Sequence, residues 1–78
     1  MPTVLIVGPY RFFFYSSDGD EPRHIHVERD EKIAKFWLDP VVLAGSGGFS
    51  PREINRVHRI IVARQGDLID AWDDYFGE

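Results

Sequence analysis

His24-Ile25-His26-Val27-Glu28-Arg29-Asp30-Glu31-Lys32-Ile33-Ala34-Lys35-Phe36-Trp37-Leu38 alternates apolar and polar residues on either side of a charged centre, and its reading decides the fold. Alternation of this length marks a strand with one face buried. Two strands joined at Asp30-Glu31 follow. A two-residue turn there sets Ile25 opposite Phe36 and Val27 opposite Ala34 on the core face. On the reverse face His24 meets Trp37, His26 meets Lys35 and Glu28 meets Ile33. Asp-Glu is not a favoured type I′ pair, so a longer loop stays open as an alternative. The faces hold in either case, because a slip by one residue would turn the whole apolar set into water.

Upstream, Arg11-Phe12-Phe13-Phe14-Tyr15-Ser16 reads as another strand, since consecutive aromatics suit a pleated surface. Alternation puts Phe12 and Phe14 on one face and Arg11, Phe13 and Tyr15 on the other. Both faces are then aromatic, which asks for a second covering such as a dimer interface. Thr3 to Val7, ending at Gly8-Pro9, is a further short strand without alternation. Ser17-Asp18-Gly19-Asp20-Glu21-Pro22 is a polar loop of the kind usually left to solvent, with three acids close enough to interact with the imidazoles.

Downstream, Pro40 has no amide to donate and closes the strand after Asp39. Val41 to Ala44 fits a short strand or one helical turn. Gly45-Ser46-Gly47-Gly48 is a flexible loop without the spacing, Lys and Ser/Thr of a phosphate loop. Phe49-Ser50-Pro51-Arg52-Glu53-Ile54 is the sharpest local signal. Ser50 is an N-cap, Pro51 takes the first helical position, Glu53 completes a capping box, and Phe49 with Ile54 forms a hydrophobic staple. Ile54, Val57, Ile61, Leu68, Trp72 and Phe76 hold one stripe at about 100° per residue, which predicts a single helix reaching Tyr75. Gly66 costs about 1 kcal/mol inside a helix, and Asp67 can cap a new one. Arg52, Arg56, Arg59 and Arg64 precede Asp67, Asp70, Asp73, Asp74 and Glu78, an order that opposes the dipole of one helix. The unbroken stripe outweighs both, and one helix bent near Gly66 is expected.

The chain has 78 residues, one domain near the lower limit of a single core, and no cysteine to staple it. An aromatic fraction of 14% is heavy for this size, so some rings are expected to be half exposed and covered by a second copy. A homo-oligomer is therefore expected. No segment approaches the roughly 18 apolar residues of a membrane span, and Met1 to Val7 lacks the parts of a signal peptide. The reading is a cytoplasmic protein with no membrane partner. A formal net charge of −4 argues against broad attraction to nucleic acid and leaves room for a small local site.

His24 and His26 are the first candidates for chemistry. Two residues apart on one strand face, their centres lie roughly 6.5–7 Å apart. One can then serve as general base and the other as general acid on a phosphodiester, with a cation stabilising the developing charge. Lys35 sits across from His26, Arg23 or Arg11 can supply a second cation, and Tyr15 can reach the same face. The bland alternative is a polar strand face, or histidines packed on Trp37 at an interface. His-x-His can also chelate a divalent ion, yet zinc wants three or four protein ligands. Glu28, the loop acids or His58 could complete a set, but nothing in the spacing fixes one, and no metal or cofactor is assigned. His58 lies beside the helical stripe as a packing residue. The Arg52, Arg56, Arg59 row reads as a solvated face ahead of a contact to phosphate or a partner's acids, and the acids after it read either as solvated surface or as a docking surface for a basic partner.

Phe12-Phe13-Phe14-Tyr15-Ser16, Glu21-Pro22-x-His24-Ile25-His26-Val27, Ala34-Lys35-Phe36-Trp37-Leu38-Asp39-Pro40 and Gly48-Phe49-Ser50-Pro51-Arg52-Glu53 together closely resemble a family of small bacterial proteins, the domain of unknown function 4160. The resemblance spans nearly the whole chain. It departs at Gly66, where a polar helix former would be expected. The family carries no established activity. Its members are often encoded beside a second small protein and have been proposed as parts of toxin–antitoxin-like modules, which implies a protein partner and favours RNA as a target.

The expected fold is α+β: a small antiparallel sheet of three to four strands with one long C-terminal helix packed on one face. Residues 1–78 form a single domain, with 1–44 mostly β, 45–50 a loop and 51–76 the helix. Two functions of different class are open. In one the protein is a metal-independent endoribonuclease, with His24 and His26 transferring protons, Lys35 stabilising charge, and Arg11, Tyr15, Arg23, Glu28 and Trp37 binding. In the other it is a non-catalytic antitoxin or regulator that uses the aromatic and histidine face as a contact surface. The active centre requires the two imidazoles to project from the sheet away from the helix; a ring beneath Ile61 or Trp72 would remove it and leave a packing domain.

Overall fold

A computed structural model describes residues 3–77. Met1 and Pro2, on which the signal-peptide reading partly rests, and Glu78 of the acidic row lie outside them. Five strands run in chain order: β1 (Thr3–Val7), β2 (Tyr10–Phe13), β3 (His24–Arg29), β4 (Lys32–Leu38) and β5 (Val41–Gly45). They form one antiparallel sheet in which each strand pairs with its neighbours in sequence. Two helices follow, α1 (Pro51–Ala63) and α2 (Gln65–Phe76). The α+β class holds, with five strands in place of three to four and two helices in place of one. Among the described residues no helix is long and apolar enough to cross a membrane.

The β3–β4 hairpin has the register that alternation demands: His24 pairs with Trp37, Ile25 with Phe36, His26 with Lys35, Val27 with Ala34 and Glu28 with Ile33. Asp30 makes the turn in the left-handed region at φ 57°, a conformation short polar side chains tolerate. Phe12, Phe14, Ile25, Val27, Ala34, Phe36 and Leu38 form the sheet's side of the core, and Val57, Ile61, Leu68 and Trp72 close it from the helices. Val41 to Ala44, left between strand and helical turn by the sequence, forms β5 together with Gly45 from the expected loop and pairs with β4 as an edge strand.

The helix start matches its sequence signal only in part. Ser50 Oγ accepts a hydrogen bond from the Glu53 amide at 3.2 Å. The Glu53 carboxylate does not reach back to complete the box. It accepts instead from the Arg29 guanidinium, including Nη2 at 2.9 Å, and from the Tyr10 hydroxyl at 3.1 Å. The Arg29 bond holds the Glu53 carboxyl below its ordinary range; burial works against it and the Tyr10 bond adds to it. A carboxyl depressed in the fold binds fewer protons than in the unfolded chain, so its stabilisation is complete above the unfolded value of 4.5 and is lost as pH falls through the folded one. The urea midpoint should therefore drop on acidification below that value, and Glu53→Gln should flatten the drop. An unchanged slope in the variant would remove this pair as its source.

The single-helix expectation is corrected at Arg64, two residues before Gly66. Arg64 leaves helical geometry at φ −116°, ψ 14°. Its amide still bonds the Ile60 carbonyl at 3.1 Å, and its own carbonyl accepts from the Leu68 amide at 3.0 Å. The apolar stripe thus crosses the break without interruption, which is why periodicity could not reveal it. What selects the break is tertiary. The Gln65 side-chain amide donates to the Leu38 carbonyl at 2.6 Å, fastening the joint to the end of β4. From there α2 crosses the end of the sheet, where Trp72 meets Phe14 at a ring separation of 5.2 Å and Phe76 lies 5.9 Å from Phe14. The break also places Asp67 in a first helical turn, where its charge favours the dipole.

Phe13 lies on the sheet's reverse face, away from the main core, yet it is fully buried. Its covering comes from this chain: the Arg11 guanidinium lies 4.3 Å from the ring centroid, His26 stacks at 5.4 Å and Tyr15 meets it edge-on at 5.1 Å. The doubly aromatic strand is real, and Phe13 needs no second copy to bury it.

Candidate functional site

β3 sends Ile25 and Val27 into the core and therefore His24 and His26 to the reverse face. The loop between β2 and β3 folds back over them through a 3-10 turn at Asp18–Asp20. The turn is held by the Asp18 amide on the Tyr15 carbonyl at 3.0 Å and by the Tyr15 amide on Asp18 Oδ2 at 2.9 Å. Asp18 is thereby aimed inward. Its Oδ2 stands 3.0 Å from His26 Nε2 and 3.1 Å from His24 Nε2. On the far side of the His24 ring, Nδ1 lies 2.8 Å from the Pro22 carbonyl oxygen. A carbonyl only accepts, so Nδ1 carries a hydrogen and the tautomer of His24 is set.

The requirement that both imidazoles stand clear of the helices fails for His24. Its ring is fully buried, 5.0 Å from Trp72, 5.6 Å from Trp37 and 5.1 Å from His26. His24 is the first residue of β3, at the end of the sheet that α2 crosses. Alternation fixes the face on which a strand residue emerges but not what lies beyond the strand's end. His26 keeps 9% of its surface exposed. Burial pushes its imidazole below the ordinary value, and the Asp18 carboxylate pulls the other way.

The other candidates divide. Tyr15 closes on His26 at a ring separation of 4.7 Å. Lys35 lies 4.5 Å over the Trp37 ring and donates to Glu21 at 2.6 Å, a bond that holds the Glu21 carboxyl below its usual range. Its charge is thus shared with a carboxylate. Arg11 and Glu28 pair with each other at 2.6 Å in the neighbouring row of the face. Arg23 turns to α2 and bonds Asp73 at 2.7 Å. His58 contacts the Val41 carbonyl at 3.3 Å, a packing residue as its place beside the stripe suggested. Arg52, Arg56 and Arg59 are exposed.

Tyr15, His24, His26, Lys35 and Trp37 therefore form one patch, and Asp18 is the residue at its centre that sequence reasoning did not single out. It was one of three loop acids, and only the turn geometry separates it from Asp20 and Glu21. Asp18, His24 and His26 each place a donor atom within 4.8 Å of the other two. Beside the patch, Pro22, Arg23, Trp37, Asp39, Pro40 and Val42 line a cleft of about 420 Å³.

No curated protein and no solved structure matches the chain. A family model does, over residues 10–73, from the first residue of β2 through the Arg23 partner Asp73 on α2. The match takes in the hairpin, the histidine pair, the 3-10 turn and the capped helix start, and so the chain belongs to the family described as Domain of unknown function (DUF4160).

Proposed function

We propose that the protein is the non-catalytic, partner-binding member of a two-gene, toxin–antitoxin-like module. Its contact surface is the β4–β5 end of the reverse face. The observation that carries this reading is the complete burial of His24 with Nδ1 committed to the Pro22 carbonyl. A general acid or base must come within hydrogen-bond reach of the proton it moves. An enclosed ring beneath Trp72 has no such reach, and Lys35 is already paired with Glu21.

Exposed apolar surface supports a contact role. Val42, 48% exposed, lies across from Trp37 at the rim of the cleft. Among the described residues the outer edge of β5 has no strand beside it. An extended segment of the neighbouring gene's product can add to that edge and seat an apolar side chain against Trp37, Pro22 and Pro40. Arg23 and Asp39 at the rim give such a segment polar neighbours.

Co-expression with the neighbouring gene tests this. The two products should co-purify, and Val42→Asp and Trp37→Ala should each weaken the complex by roughly 30-fold or more, as truncation of a central interface residue does. Circular dichroism should show Val42→Asp folded, because the side chain is exposed. RNA cleavage by the purified chain that disappears in His26→Ala would replace this reading with the endoribonuclease.

A further inference from the structure

We propose that Asp18, His24 and His26 bind one divalent first-row transition ion of the zinc class, and that the ion clamps the 3-10 turn onto the sheet. The inference stands independently of the partner-binding reading.

His24 Nε2 is buried and makes no hydrogen bond. With Nδ1–H held by Pro22, the neutral ring presents a lone pair at Nε2, and 3.1 Å away stands a carboxylate oxygen that also only accepts. Two acceptors face each other with nothing to share. A buried polar atom without a partner is costly, and native proteins rarely keep one without reason. A second proton on the ring would pair the imidazolium with Asp18 at 3.1 Å; a metal cation held by both acceptors is the other way to satisfy them.

The donor set and its spacing suit a metal. Two histidines and a carboxylate, with remaining positions open to water, are a recurring set for zinc and ferrous ions. Bonds of about 2.1 Å put adjacent donors about 3.0 Å apart in an octahedral shell and about 3.4 Å apart in a tetrahedral one. The two nitrogen-to-oxygen separations here are 3.0 and 3.1 Å. The surroundings also match what metal ligands need. A ligating histidine ordinarily donates its other ring hydrogen to a carbonyl or carboxylate, and a ligating carboxylate is itself hydrogen-bonded. Pro22 does the first for His24, and the Tyr15 amide does the second for Asp18.

The site's place in the fold gives the ion its task. Asp18 belongs to the turn, the histidines to β3, and Gly19 next to Asp18 lies so close to Phe76 that an added Cβ would stand 2.8 Å from its ring. An ion held by all three residues joins loop, sheet and the end of α2.

Untagged protein dialysed against a chelator provides the test. Cobalt(II) should bind at one equivalent with visible d–d absorption, and zinc should bleach that signal. Zinc at a hundredfold excess over its Kd should raise Tm by roughly 10 °C or more. Asp18→Asn keeps the shape and the Tyr15 contact, and His26→Gln keeps a polar side chain at a position that retains 9% of its surface exposed. Both should remain folded by circular dichroism and lose the spectrum and the Tm shift. Absence of cobalt absorption and of any zinc effect in the wild type would overturn the site, as would undiminished binding in Asp18→Asn. A proton on His24 Nε2 in nitrogen NMR of the zinc-saturated protein would overturn it as well.

Discussion

Replacing Trp72 with alanine should remove about 3–5 kcal/mol of stability, the usual range for losing a buried Trp or Phe side chain. At roughly 0.05–0.15 kcal/mol per residue, a chain of this length holds only about 4–12 kcal/mol in total. The substitution therefore takes a large part of what the fold has. Trp72 is fully buried, and its indole meets Phe14 just after β2, Phe76 one turn on at 4.3 Å, and the His24 ring. Without the indole, α2 keeps Leu68 in the core and holds the sheet's end through Tyr75 and Phe76 on Phe14 and Asp73 on Arg23. Urea unfolding followed by far-ultraviolet circular dichroism measures this without relying on the lost fluorophore. Trp72→Phe should cost less, because a ring still meets Phe14 and Phe76. A loss under about 1 kcal/mol for Trp72→Ala would mean that α2 contributes little to the core.

Gly47→Ala should cost on the order of 3 kcal/mol, far more than alanine at glycines with open space around them, such as Gly8. Two independent causes add. Gly47 sits at φ 58°, a region that side chains with a Cβ disfavour. An added Cβ would also stand 1.7 Å from the Ile33 carbonyl oxygen and 2.4 Å from its carbon, both backbone atoms of the central hairpin that cannot swing aside. Gly8 separates the causes. It has φ 56° with nothing within 4 Å of an added Cβ, so Gly8→Ala should cost only about 1–2 kcal/mol. Equal losses at the two positions would show that conformation alone, without the close approach to β4, governs the loop.

How much of this was legible follows from which forces act locally. The hairpin register could be read because one slip exposes Ile25, Val27, Ala34 and Phe36 together, a penalty written wholly in neighbouring residues. Pro51 at the helix start could be read for the same reason, as Ser50 caps an amide three positions away. The Gly45 to Gly48 segment shows the opposite case. It looked flexible from composition, yet Gly47 is fixed by a carbonyl from β4, fourteen residues earlier in the chain. Arg64 breaks the helix because Gln65 finds the Leu38 carbonyl, a contact across 27 residues. Asp18 became the centre of the site because a short turn aimed one loop acid inward and left Asp20 exposed. The histidines were legible as a pair; the lid over one of them was not.

The meander has a kinetic consequence. Since every strand joins its sequence neighbour, closing each pair requires only a short excursion of the chain, and short excursions are the quick ones. The sheet can zip from the Asp30-Glu31 turn outward before either helix has settled. The encounter that spans most of the polypeptide is that of α2 with Phe14, so the longest closure is also the one that completes the barrier between His24 and water.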